Sequence, residues 1–149
     1  HIPTVDAVFD VVFTSASVHH ASDLTQTFHE FSRVLKPGGV IILVNEPVHG
    51  LLRVGQKFGE DEIEAGMNEH VYPLGAYQQA ARLAGFTPRV LFPEDLHRQL
   101  KGVNPMPLSA PIRALRSVWP LLDPFHTLLL LPGHWLIGLT MVMVARKQA

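Results

Sequence analysis

Two apolar runs separated by an amphipathic stretch set the pattern of the first fifty positions. Residues 7–14 (AVFDVVFT) are almost continuously apolar and rich in β-branched and aromatic side chains. That predicts a strand buried on both faces, as in a parallel sheet covered by helices on both sides. Asp23 then offers a helix N-cap with Gln26 three positions on, the spacing of a capping box. Leu24, Phe28, Phe31 and Leu35 recur at helical spacing and make one apolar face. Glu30 and Arg33 fall on the solvent side of that helix, where such a pair contributes little. Lys36-Pro37-Gly38-Gly39 must end the helix, because a residue before proline is pushed out of the helical region and glycine tolerates positive φ. Val40–Val44 follows as a second buried strand and closes in Asn45-Glu46-Pro47. Strand, helix and strand with short connections make a parallel βαβ unit.

The pattern then loosens. Residues 48–73 are polar and Gly-rich, and Glu60, Asp61, Glu62 and Glu64 suggest a solvated turn or short helix. Leu74, Tyr77, Ala81 and Ala84 trace another helical stripe that Gly85 ends. Thr87–Phe92 reads as a short strand. Residues 94–135 hold six of the twelve prolines. Within them Ile112, Leu115 and Trp119 predict one face of a short helix starting near Pro111. Leu139–Ala145 reads as a final strand. The apolar stretch 118–145 is divided by Pro132-Gly133-His134, whereas a spanning helix needs about 20 uninterrupted apolar residues. Residues 94–135 are therefore expected to form a lid or interface insertion. Leu128–Leu131, with Trp119 and Trp135, would suit an apolar acceptor or a dimer contact. Arg113 and Arg116 beside Trp119 leave a membrane surface as a lesser alternative.

Composition narrows the classes. Hydrophobic residues make up 47% of the 149 positions and charged ones 17%, enough for a packed core and too apolar for a disordered chain. A formal net charge of -1 gives no overall field for nucleic acid. Without cysteine there is no disulfide framework or thiolate metal site, which suits a cytoplasmic location. His19 and His20 are adjacent and no carboxylate–histidine cluster has ligand spacing, so no metal is expected.

The ordered set Phe9-Asp10-Val11-Val12, His19-His20, Glu30 to Gly39, Asn68-Glu69-His70-Val71-Tyr72 and Ala80 to Phe86 resembles the class I S-adenosylmethionine-dependent methyltransferases. The likeness is to the small-molecule enzymes that include those of ubiquinone and menaquinone biosynthesis. It implies an α/β, Rossmann-like partial sheet of strands four to seven, the last antiparallel and inserted between the fifth and sixth. Residues 1–149 would then be the carboxyl-terminal part of a single methyltransferase domain, lacking the Gly-rich cofactor motif. By the same resemblance Thr14, Ser15, Ala16 and His19 would lie beside S-adenosylmethionine. His19, His20, Glu46 and His70 are the candidate bases for a small-molecule acceptor. Each also has a plainer structural role: the histidines ordering turns, Glu46 accepting from local amides. The alternative is a non-catalytic remnant or partner subunit, pairing with a second copy or a complementing chain through the first-strand edge or the 119–135 region.

Overall fold

The computed structural model describes residues 1–51, 70–91, 100–101, 110–125 and 140–149. In chain order the elements are β1 (Phe9–Ser15), a 3-10 turn (Val18–His20), α1 (Leu24–Val34), β2 (Leu35–His49), β3 (Tyr72–Pro73) and α2 (Leu74–Leu83). They continue with β4 (Phe86–Leu91), α3 (Ala110–Leu122), a second 3-10 turn (Asp123–Phe125) and β5 (Thr140–Lys147). The sheet runs β1-β2-β5-β4, with β3 pairing the far end of β2. β1 and β2 are parallel, and β5 lies antiparallel between β2 and β4, as the resemblance implied.

Local chemistry accounts for the boundaries. The Asp23 carboxylate accepts from the Gln26 amide at 2.9 Å and caps α1. α1 ends at Val34, before the expected stop at Lys36–Gly39, and β2 begins at once with Leu35; Gly38, at φ +75°, sits inside β2 where the pairing with β1 shifts register between Leu35 and Val40. Gly39 is buried so closely that a Cβ would stand 2.9 Å from the Lys36 carbonyl oxygen and 3.2 Å from that of Asp10. Gly85, at φ +84°, turns the chain from α2 into β4.

The core occupies one face of the sheet. Ile41, Leu43, Met141, Met143 and Ala145 alternate with half-buried neighbours and meet Leu24, Phe28 and Phe31 of α1 and Leu74, Tyr77, Ala80 and Ala81 of α2. The apolar stripes read from sequence are thus the buried ones. β1 differs from expectation. Val12 packs against the core, but Val11 and Phe13 are 51% and 64% exposed, because β1 is an edge strand and no described helix covers their face.

The Glu30–Arg33 pair also differs. Both side chains are mostly buried under the leading segment of the chain, and the pair is bidentate. Arg33 also donates to the carbonyls of Ile2 and Thr4 and to Asp6, while the Ile2 amide donates to Glu30. Those bonds hold the Glu30 carboxyl down at about 2, the Arg33 guanidinium first and the Ile2 amide second. The pair is therefore the clamp that fixes residues 2–6. α3 begins at Ala110, one position before the predicted Pro111, with Trp119 buried and Leu115 half-buried. Residues 94–99, 102–109 and 126–135 of the predicted lid or interface insertion, Leu128–Leu131 and Trp135 among them, lie outside the described residues, as do Glu60–Glu64.

Candidate functional site at the carboxyl edge of the sheet

Polar groups gather where β1 and β2 end. β1 stops at Ser15, and Ala16 takes φ +45° while its amide donates to the Val44 carbonyl at 2.9 Å. A left-handed alanine is costly, about 1–2 kcal/mol, so this turn is held by its surroundings. The 3-10 turn follows directly and points three backbone amides in one direction.

Those amides meet Glu46, brought there by a β-bulge. Leu43 pairs with Met143 but Glu46 pairs with Met141, so β2 carries one extra residue over that interval. Asn45 sits in it at φ +57°, a conformation asparagine tolerates better than most residues. The extra residue reverses the alternation of β2. Glu46 and Val48, which simple alternation from Leu43 would aim at the opposite face, turn into the core and are fully buried.

One Glu46 oxygen accepts from the amides of Ser17 and Val18, both at 3.0 Å. The other accepts from the His19 amide at 3.1 Å and lies 3.0 Å from His19 Nδ1. Glu46 therefore caps the 3-10 turn across 27–29 residues of sequence, a task that Ser17 beside it does not perform. With Nδ1–H donating to the carboxylate, the basic nitrogen of a neutral His19 is Nε2. His20 is exposed, its ring 4.1 Å from that of His19.

A row of aromatic rings extends the edge. His70 and Tyr72 have ring centroids 5.4 Å apart, and Tyr72 and Tyr77 meet edge to face at 5.9 Å. The Tyr72 hydroxyl donates to the Ala21 carbonyl at 2.6 Å, fastening β3 to the loop after the 3-10 turn. Tyr77 is fully buried, its hydroxyl without a hydrogen-bond partner among the described residues, and burial first and the Glu46 charge second push its ionisation far upward. Thr14 Oγ1 and His70 Nε2 are likewise buried atoms with no hydrogen-bond partner among the described residues.

The structure thus brings Glu46 and His19 into direct contact and places His20 against them. His70 joins only through the two tyrosines. Thr14, Ser15 and Ala16 line the end of β1, Ser15 and Ala16 exposed and Thr14 half-buried. The tyrosines and the Asn45 bulge escaped sequence reasoning. The one signal for the bulge was an asparagine before the buried glutamate, and Tyr77 stood out only as a large polar-tipped residue in an alanine-rich stripe. Among the described residues no group of three or more His, Asp or Glu is arranged to hold a metal. A cleft of about 490 Å³ runs along α1 past Gln26, Thr27, His29 and Glu30, but its charged pair is committed to the clamp already described.

Against known proteins, residues 1–43 match a family model described as a methyltransferase domain. The match spans β1, the 3-10 turn, α1 and most of β2. The fold is that of the class I methyltransferases. A malonyl-[acyl-carrier protein] O-methyltransferase of Yersinia pestis is 30% identical over 111 residues, 70% of this chain and 41% of that protein. The human mitochondrial arginine-hydroxylase NDUFAF5 is 30% identical over 86 residues, 56% of this chain and 25% of that protein. The chain therefore spans less than half the length of these curated relatives. Among solved structures, the geranyl diphosphate C-methyltransferase of Streptomyces coelicolor A3(2), with Mg2+, geranyl diphosphate and S-adenosyl-L-homocysteine, superposes with a TM-score of 0.60 at 16% identity. That likeness covers all of this chain and 50% of the other. A hydroxylase among the relatives shows that similar sequences carry different reactions, so function rests on the site.

Proposed function

We propose that this chain forms part of an S-adenosylmethionine-dependent methyltransferase acting on a small, apolar acceptor. The observation that carries the reading is the methyltransferase match over residues 1–43, whose strands end in the polar edge just described. In open α/β sheets, ligands bind beyond the carboxyl ends of the strands. Thr14 Oγ1, buried and without a partner among the described residues, suits a polar group of the cofactor, and exposed Ser15 and Ala16 allow close approach. The bound sulfonium would supply the methyl group. The chain's own part is alignment, since holding reactants in line is worth up to about 7–11 kcal/mol.

In this reading Glu46 and His19 are positioning residues that set the turn after β1. His20 and His70 are the groups within reach of an acceptor that must lose a proton. In the same reading 1–149 forms the carboxyl-terminal part of one methyltransferase domain of the quinone-biosynthesis type, and the setting is cytoplasmic. Calorimetric titration with S-adenosylhomocysteine tests it. Micromolar binding that weakens at least tenfold in Thr14→Val supports the reading, and no heat from folded protein removes it for this chain.

One observation favours a second reading. The exposed Val11 and Phe13 on the outer strand suit a partner subunit that pairs through the β1 edge, with a second copy or a complementing chain. Sedimentation equilibrium of the parent and of Phe13→Lys decides it: a dimer that the substitution dissociates supports edge pairing, and monomers in both exclude self-pairing.

A further inference from the structure

Two buried polar atoms around one ring have no use in the fold. Tyr77 is fully buried, and its hydroxyl has no hydrogen-bond partner among the described residues. His70 Nε2 is a buried atom that lacks a partner in the same sense. Tyr72 touches both residues, meeting Tyr77 edge to face at 5.9 Å and His70 at 5.4 Å between ring centroids. A buried polar group left without a partner is destabilising, so two in one cluster call for a reason. The neighbouring carboxylate does not supply it. An ionised glutamate has about four lone-pair sites. Those of Glu46 are taken by the amides of Ser17, Val18 and His19 and by His19 Nδ1. Tyr77 thus lies in the field of Glu46 with no acceptor there for its proton, while burial and that charge keep the hydroxyl protonated. It is a standing donor.

The ring that packs on both atoms is lightly held. Glu46 is fully buried and fixed by four hydrogen bonds. Tyr72 is half-buried and tied by the bond from its hydroxyl to the Ala21 carbonyl, at 2.6 Å. Its strand, β3, is two residues long and pairs with β2 at Val48 and His49. Ala21 directly follows His20, so the tie crosses the carboxyl edge of the sheet, where open α/β folds bind their ligands.

We infer that Tyr72 is the latch of a closed binding subsite, in which the Tyr77 hydroxyl and His70 Nε2 meet the polar atoms of a neutral, planar ligand once the Tyr72–Ala21 bond opens. The surroundings select that class. Tyr77 offers a proton, so the ligand must present an accepting oxygen or nitrogen. The Glu46 charge beside it repels a carboxylate or phosphate, so the accepting atom belongs to a neutral group such as a carbonyl or hydroxyl. The rings of His70, Tyr72 and Tyr77 favour a flat, aromatic partner. Only the ligand's role as methyl acceptor rests on the proposed function; the subsite itself does not.

Titration of the 15N-labelled chain with benzamide, and with benzoate as its anionic counterpart, tests the subsite. No cofactor is present, so its failure is separate from failure of the methyltransferase reading. Benzamide should shift the amides of Ala21, Tyr72 and Tyr77 saturably, and benzoate should bind more weakly by about fivefold or more. Tyr72→Phe removes the latch and should tighten benzamide about two- to tenfold, because a larger share of the chain is then open. Tyr77→Phe removes the donor and should weaken it by about the same factor at unchanged Tm. A merely structural pair of tyrosines would not give changes of opposite sign. The inference is overturned by the absence of saturable shifts in both the parent and Tyr72→Phe, or by weaker binding in Tyr72→Phe. Unchanged affinity in Tyr77→Phe, or benzoate binding as tightly as benzamide, overturns it as well.

Discussion

Replacing Glu46 by alanine should cost far more stability than an average substitution, because the side chain closes four hydrogen bonds at a fully buried position. Ser17 is exposed, so water can take over its amide. Val18 and His19 are buried, and each orphaned amide there costs about 1–3 kcal/mol. The His19 imidazole loses its partner as well. The sum is about 3–5 kcal/mol, the range found when one member of a buried polar pair is removed. For a domain of this size that lowers Tm by roughly 10–20 °C. Glu46→Gln should lose less, about 1–3 kcal/mol, since one oxygen remains and the new amide opposes a donor. Urea unfolding followed by circular dichroism measures both, and a cycle with His19→Ala isolates the pair, expected to couple by about 0.5–3 kcal/mol. A Glu46→Ala protein within about 0.5 kcal/mol of the parent, or strict additivity with His19→Ala, would refute the reasoning that Glu46 fixes the turn after β1.

Three further outcomes follow from the geometry. Glu30 is held at about 2 in the folded chain against an ordinary 4.5, so its contribution is complete above 4.5 and fades as pH falls towards 2. The Tm gap between the parent and Glu30→Gln should accordingly be constant near neutrality and close over that acidic window; a gap that widens on acidification would contradict the assignment. Gly39→Ala forces a Cβ against two backbone carbonyl oxygens and should destabilise by about 1–3 kcal/mol in the same urea assay. Tyr77→Phe deletes a buried hydroxyl that has no partner, so stability should stay within about 0.5 kcal/mol of the parent or rise; a loss above about 1 kcal/mol would reveal a hidden hydrogen bond.

The βαβ unit was legible because apolar periodicity and the Asp23 cap specify one arrangement; its boundary was less so, since α1 ends at Val34 and Lys36–Gly39, read as the helix stop, lie within β2. The insertion of β5 between β2 and β4 came from family likeness, since a Met- and Val-rich run does not announce its neighbours. The burial of Glu46 was not legible. It depends on a one-residue bulge at Asn45, and strict alternation would have sent the carboxylate to the other face. Nor was the Arg33 clamp, because its acceptors are carbonyls of Ile2 and Thr4, about thirty positions away and chemically anonymous in sequence. His19, His20 and Glu46 were recognised one by one as candidates. Their joining through the amides of residues 17–19 is a property of the folded backbone.

The central claim is that the carboxyl edge of β1 and β2 forms a wall of the cofactor cleft. Amide chemical shifts of 15N-labelled chain during titration with S-adenosylhomocysteine test it most directly. The account requires saturable changes centred on Thr14–His20 and Asn45–Glu46. Changes confined to the cleft along Gln26–Arg33, or none from a well-dispersed spectrum, would contradict it.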